Sequence, residues 1–234
     1  MSFVFPPPAP VAVPVAGGGQ FPVHRIYCVG RNYAEHAVEM GHTGREPPFF
    51  FLKPADTVLP VAEGEQGAMA YPTLTQNLHH EVELVVALGA GGRDVPPERA
   101  LDLIWGYAIG LDMTRRDLQN DMKKQGRPWC IGKGFEQSAP IGPLHPRART
   151  GEITRGAITL DVNGQRRQTG DIADLIWNVA ETIAALSRAW TLAPGDLIYT
   201  GTPAGVGAVA AGDQLTASIE GLGSLRLRID PPLS

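Results

Sequence analysis

Glycine and proline punctuate this chain so densely that few stretches can run as helix for more than a few turns. Among 234 residues there are 28 glycines and 21 prolines, the residue types that set turns and break regular elements. Short apolar or alternating runs lie between them. Val23–Val29, Phe49–Leu52, His80–Leu88 and Tyr107–Leu111 read as strands, as do Leu197–Thr200, Gln214–Ile219 and Ser224–Ile229. Asn163-Gly164, between Ile158–Val162 and Gln165–Gln168, is the favoured pair for a type I′ hairpin. Helices fit Asn32–Met40, Pro97 to about Trp105, Thr114–Lys124, and one longer stretch capped by Asp171 or Asp174 and reaching about Arg188. The pattern predicts a β-rich α+β fold, with residues 1–20 as an extended arm and 21–234 as one domain.

Charge and cysteine usage narrow the function. Lys+Arg number 20 against 24 Asp+Glu, for a formal charge of −4 and a pI near 5.9. No basic block offers itself to nucleic acid or to an anionic membrane. Cys28 and Cys130 form no CxxC pair, so neither a disulfide framework nor a zinc-thiolate site is expected, and a reducing cytoplasm is. No apolar run approaches the roughly 20 residues that span a bilayer. Residues Met1–Pro8 lack the basic start and unbroken apolar core of a signal peptide. G-x-S-x-G and H-E-x-x-H are both absent, which argues against a serine hydrolase and a zinc protease.

Four groups of residues carry chemistry. Glu81 and Glu83 alternate onto one face of a strand, and Asp112 closes the next buried run. Three carboxylates on rigid elements suit Mg²⁺, Mn²⁺ or Ca²⁺; the bland alternative is the wet face of a half-exposed strand. A helix starting near Asp112 would align Arg116, Gln119 and Lys123 with it, although a solvated helix face has the same spacing. His36 and Glu39 stand i, i+3, so the carboxylate can orient an imidazole that takes a proton from water; such pairs are also common as structure. Of the two histidines before Glu81, alternation sends His79 and not His80 towards the glutamates, neither as a ligand. Gly201-Thr202-Pro203-Ala204-Gly205-Val206-Gly207 lacks the spacing of a phosphate loop and reads as a turn offering N–H groups and the Thr202 hydroxyl to a carboxylate. Lys133, between Gly132 and Gly134, can reach into a pocket.

These residues together resemble the fumarylacetoacetate hydrolase family, from about Arg25 to Arg228. The carriers are Gly30-Arg31-Asn32-Tyr33 with His36 and Glu39, Phe51-Leu52-Lys53-Pro54, and His79-His80-Glu81-Val82-Glu83-Leu84. Leu111-Asp112-Met113-Thr114, Arg116-Asp117 with Gln119, and Thr200-Gly201-Thr202-Pro203 with Gly205-Val206-Gly207 are further carriers. The resemblance implies rolled mixed β-sheets with a few short helices, a homodimer, and a divalent metal, Mg²⁺ foremost, on Glu81, Glu83 and Asp112. It implies hydrolysis of a carbon–carbon bond in a 1,3-dicarbonyl acid, as in the short acylpyruvate and fumarylpyruvate hydrolases of aromatic degradation. His36, oriented by Glu39, would activate water; Lys133 and Gln119 would stabilise the oxyanion. Arg116, Thr202 and Arg31 would contact the substrate, and Gly30–Gly44 would form a lid. The rival readings are oxaloacetate decarboxylation and a non-catalytic metal-binding scaffold.

Overall fold

The computed structural model describes residues 3–33 and 45–233. Among the described residues, eighteen strands form four sheets. The largest contains β3 (Ile26–Gly30), β4 (Phe49–Lys53), β5 (Val58–Pro60), β8 (Val82–Leu88), β9 (Ile104–Leu111), β11 (Ala139–Ile141), β12 (His145–Pro146) and β15 (Leu197–Tyr199). Its order is β4-β3-β15-β8-β9-β11-β5, with β12 also on β9. A five-stranded sheet runs β14 (Gln165–Asp171), β13 (Ala157–Val162), β17 (Gln214–Ile219), β18 (Gly223–Asp230), β6 (Gln66–Ala70). β10 (Thr114–Arg115), β7 (Leu78–His80) and β16 (Gly207–Val209) make a small third sheet, and β1 (Ala12–Pro14) pairs with β2 (Gln20–Pro22). The helices are short: α1 (Pro97–Ala100), α2 (Arg116–Lys124), α3 (Cys130–Lys133), α4 (Arg147–Thr150) and α5 (Val179–Ala189).

All seven residues of β8 are buried, because the large sheet has a core on each side. Leu84, Val86 and Leu88 face Ile158, Leu160, Leu215 and Leu227 of the five-stranded sheet, together with Ile183 and Leu186 of α5. Val85 and Ala87 face the other way, onto Cys28, Leu197 and Tyr199, and this face is closed by Val13 and Phe21 of the β1–β2 hairpin. Phe21 packs on Trp105 at a centroid distance of 5.2 Å. A strand covered on both sides reads as an unbroken apolar run, and the exception within β8 is Glu83.

Several boundaries differ from the sequence reading. The helix expected from Pro97 ends at Ala100, passes through a 3₁₀ turn at Leu101–Leu103, and gives way to β9 at Ile104. Thr114 and Arg115 pair with β7, so α2 starts only at Arg116. Asp112 therefore lies outside the helix, and Lys123 is exposed. Asp171 does cap, but it caps the 3₁₀ turn Ile172–Asp174. The long helix is capped by Asn178, which accepts from Glu181 N–H at 3.0 Å while Glu181 Oε2 accepts from Asn178 N–H at 3.1 Å. Asn32 and Tyr33 are not helical; Tyr33 bridges Leu175, and the rest of that expected helix lies outside the described residues. The hairpin forms as read, with left-handed φ at Asn163 and Gly164.

Removing a capping-box side chain of this kind costs about 1 kcal/mol. Asn178→Ala is accordingly expected to lower the melting temperature by about 2–4 °C, the usual yield of 1 kcal/mol in a chain of this length. An unchanged melting curve would mean that the Asn178 cap contributes nothing.

Candidate active site

Three carboxylates meet where β8 and β9 end. The antiparallel register sets Glu83 opposite Gly110 and Val82 opposite Leu111, and Asp112 N–H donates to Glu81 O at 2.9 Å. Glu81, Glu83 and Asp112 each offer an oxygen within 4.8 Å of the others. They are 6%, 1% and 1% exposed, so the wet-face alternative fails. Burial, and then the charges of Asp112 and Glu81, push the Glu83 carboxyl well above the usual range. Gly201 N–H, at 2.8 Å from Glu83 Oε2, works in the opposite sense. A buried cluster of hard oxygen donors under like-charge strain fits a divalent cation such as Mg²⁺, Mn²⁺ or Ca²⁺.

Cations surround the cluster. Lys133 Nζ lies 2.9 Å from Glu81 Oε2 and 2.6 Å from Asp112 Oδ2. Burial works against its charge, yet Asp112 and Glu81 prevail and hold the ammonium above the ordinary lysine range. Its position follows from Gly132: a Cβ there would come within 2.9 Å of Gln119 N, so only glycine lets α3 lie this close to α2. Arg116 Nη2 pairs with Glu81 Oε1, Nη1 donates to Gln119 Oε1 at 2.6 Å, and Nε donates to His79 Nδ1 at 3.3 Å. Burial first, then Arg116, brings the His79 pKa down to about 4. The neutral ring thus accepts from Arg116 and donates from Nε2 to Asn77 Oδ1 at 2.9 Å.

The sequence reading passed over Lys53 as a site residue. Its ammonium lies 2.9 Å from Asp112 Oδ1, donates to Met113 O at 3.1 Å, and also donates to Lys133 O. One side chain thereby ties the end of β4 to a carboxylate of the cluster and to the last residue of α3. The one signal for it was alternation, which puts Lys53 on the face of Phe49 and Phe51. Counting Lys53, Lys133 and Arg116 against the three carboxylates gives formal neutrality. A divalent ion makes the centre doubly positive, one charge more than Lys133 and Arg116 alone would give.

Glu81, Glu83, Asp112, Arg116, Gln119 and Lys133 line one cleft with Arg31 and Thr202. Thr202 is there in a different role from the one expected. Its hydroxyl donates to Val82 O and accepts from Gln168 Nε2, both at 2.8 Å, so it fastens the loop to β8 and β14. The loop does offer an N–H to a carboxylate, but that carboxylate is Glu83 of the same chain. His80 turns away and donates from Nδ1 to Gln168 Oε1 at 2.9 Å. His36 and Glu39 lie outside the described residues, as does most of the expected Gly30–Gly44 lid.

Ligand linkage tests the cluster directly. At about a hundred times its Kd an ion bound only by the folded state adds about 2.7 kcal/mol of stability. Denaturation of the wild type with Mn²⁺ is expected to show such a gain, and Glu83→Gln to abolish it. An equal gain in both proteins would locate the ion elsewhere.

The family model described as "Fumarylacetoacetate (FAA) hydrolase C-terminal" matches residues 25–230. Fumarylpyruvate hydrolase of Ralstonia sp is 47% identical over 187 residues, 80% of this chain and 94% of that protein. Mitochondrial oxaloacetate tautomerase FAHD1 of Homo sapiens is 41% identical over 207 residues, 88% of this chain and 92% of that one. The crystal structure of fumarylpyruvate hydrolase from Pseudomonas aeruginosa, in complex with Mn²⁺ and pyruvate, superposes with a TM-score of 0.97 at 56% identity, covering 98% of this chain and all of that one. The chain belongs to the fumarylacetoacetate hydrolase family.

Proposed function

We propose that this protein hydrolyses fumarylpyruvate to fumarate and pyruvate with a divalent metal, Mg²⁺ in the cell. The observation that carries the reading is the buried Glu81–Glu83–Asp112 cluster ringed by Lys53, Lys133 and Arg116. Its support from outside the chain is the similarity to fumarylpyruvate hydrolases of Ralstonia sp and Pseudomonas aeruginosa. Glu81, Glu83 and Asp112 would hold the ion. When bound, it supplies a Lewis acid for the carboxylate and keto oxygens of the pyruvate half.

The chain's own groups account for the rest. Three N–H donors of Arg116 are spent on Glu81, Gln119 and His79, which fixes the guanidinium; its other donors would serve the substrate. His36, oriented by Glu39, takes a proton from water as it adds to the distal carbonyl. Lys133 Nζ and the amide of Gln119 donate to the oxyanion that forms. The carbon–carbon bond then breaks. Its electron pair leaves with the pyruvate half as an enolate, which takes up a proton, while the acyl half departs as fumarate. We assign the enzyme to aromatic-compound degradation, acting as a cytoplasmic homodimer whose catalytic domain is residues 21–234 with 1–20 as an arm. Both cysteines are free, and no helix among the described residues is long and apolar enough to cross a membrane.

The similarity to oxaloacetate tautomerases supports a second reading, in which the same centre stabilises the enolate of oxaloacetate. Decarboxylation needs no attacking water and no base to activate one, whereas tautomerisation moves a proton between carbon and oxygen and needs a group to carry it. His36→Ala is therefore expected to lower hydrolysis of fumarylpyruvate by about 10²–10⁴-fold, the range for loss of a general base, and to lower any decarboxylation of oxaloacetate far less. Pyruvate and fumarate are the products to measure. Wild-type hydrolysis by His36→Ala would remove His36 from the mechanism, and release of CO₂ without fumarate would favour the second reading.

A further inference from the structure

A row of aromatic rings, of which Phe51 and Trp129 line the cleft, runs with a cation at each end. Lys133 Nζ, at the deep end, sits 5.0 Å from the centroid of Phe51. Phe51 lies 6.0 Å from Trp129, and Trp129 lies 5.3 Å from Phe49 with the planes at 86°. At the outer end the Arg31 guanidinium carbon stands 5.5 Å from the Phe49 ring and 6.0 Å from Trp129. Lys133 is 2% exposed and Phe49 37%, so the row leads from the buried cluster out to solvent, with Arg31 over its outer ring.

Two backbone features build this end. A Cβ at Gly30 would fall 2.0 Å from Phe49 Cζ, so the ring crosses the backbone of residue 30 directly. Arg31 follows with φ at +56°, a left-handed conformation that arginine rarely adopts. Together they carry the guanidinium over the rings at the outer end of the row.

We infer that Arg31, Trp129 and Phe51 form a distal subsite that selects acylpyruvates whose acyl arm is flat, conjugated and carboxylate-terminated. This rests on the reading that the pyruvate half occupies the Glu81–Glu83–Asp112 end. A planar unsaturated chain stacks on aromatic faces with little loss of conformational freedom, and a guanidinium at the far end matches a carboxylate in charge and shape. The doubly positive metal-loaded centre favours a dianion over an acylpyruvate carrying one carboxylate, and Arg31 fixes where the second carboxylate lies. Lys133 at the reacting carbonyl and Arg31 at the distal carboxylate thus set the two ends of the acyl arm, and the rings between them read its flatness.

The test compares fumarylpyruvate with acetylpyruvate, which lacks the distal carboxylate. For Arg31→Met the ratio of the two kcat/KM values is expected to fall about 10- to 100-fold, the worth of a lost hydrogen bond to a charged group. Arg31→Lys should recover part of that ratio, and Trp129→Leu should lower it as well. A second measurement does not depend on turnover. Fumarate is titrated into the Mn²⁺-loaded protein with oxalate occupying the metal end, and Arg31→Met is expected to weaken its binding about 10-fold or more, with oxalate binding retained. Equal losses for both acylpyruvates, or unchanged fumarate affinity, overturn the subsite. If the wild type hydrolyses neither acylpyruvate, the proposed function fails and the fumarate titration alone decides the subsite.

Discussion

Glu81, Asp112, Lys53, Lys133 and Arg116 form a continuous ion lattice almost without access to water. Taking any one of these charges out of water costs several kcal/mol, and only correctly placed partners offset that cost. The lattice is consequently a positional constraint more than a source of stability. Lys53 comes from the end of β4, Asp112 from the end of β9, Arg116 from the start of α2 and Lys133 from α3. None of these elements can shift by a residue without stranding a charge. A further bond, from Ser138 Oγ to Lys133 O at 3.0 Å, holds the same corner from the segment leading into β11.

Around that lattice the fold supplies rigidity from opposite sides. β8 is walled by two cores, so Glu83 cannot retreat from the cluster, and Gly201 N–H holds its outer oxygen. Gln168 of β14 clips the small sheet to the large one: its Oε1 accepts from Val82 N–H at 3.1 Å and from His80, while its Nε2 donates to Thr202 and to Pro203 O at 2.8 Å. The five-stranded sheet thereby reaches the backbone immediately beside Glu81 and Glu83. A polar side chain that joins three segments in this way is fully satisfied, which is the condition for burying it.

Sequence reading recovered what local periodicity encodes. The period of two that aligned Glu81 with Glu83, and the apolar run before Asp112, are properties of single strands and survive in the structure. Lys53 was missed because a lysine closing an apolar run looks like the polar end of a strand; its burial is visible only once Asp112, 59 residues later, is folded against it. The start of α2 was misplaced because Thr114 and Arg115 are claimed by β7, a pairing that no helix periodicity reveals. Asp171 and Asp174 were read as caps of the long helix because nothing in the sequence marks Leu175–Trp177 as an irregular stretch between the 3₁₀ turn and α5, which puts the true cap at Asn178. Thr202 was read as offering its hydroxyl to a carboxylate because a loop hydroxyl has no sequence signal for an inward partner such as Val82 O. The brief strands β5, β6 and β16 have little pattern of their own and exist through their neighbours.

Strand β15 lies between β3 and β8 although it is synthesised more than a hundred residues after β8 ends. On the ribosome, residues 26–30 and 82–88 therefore emerge long before the strand that joins them, and the amide of Gly201 emerges later still. Contacts of such sequence separation close slowly, because the loop entropy must be met before any of them forms. The acidic cluster is thus among the last parts of the molecule to acquire its final geometry. A growing chain that exposes β8, apolar on both faces, has in the meantime only the β9 hairpin partner to cover one edge, which makes this interval the one in which the protein depends most on being shielded from its neighbours.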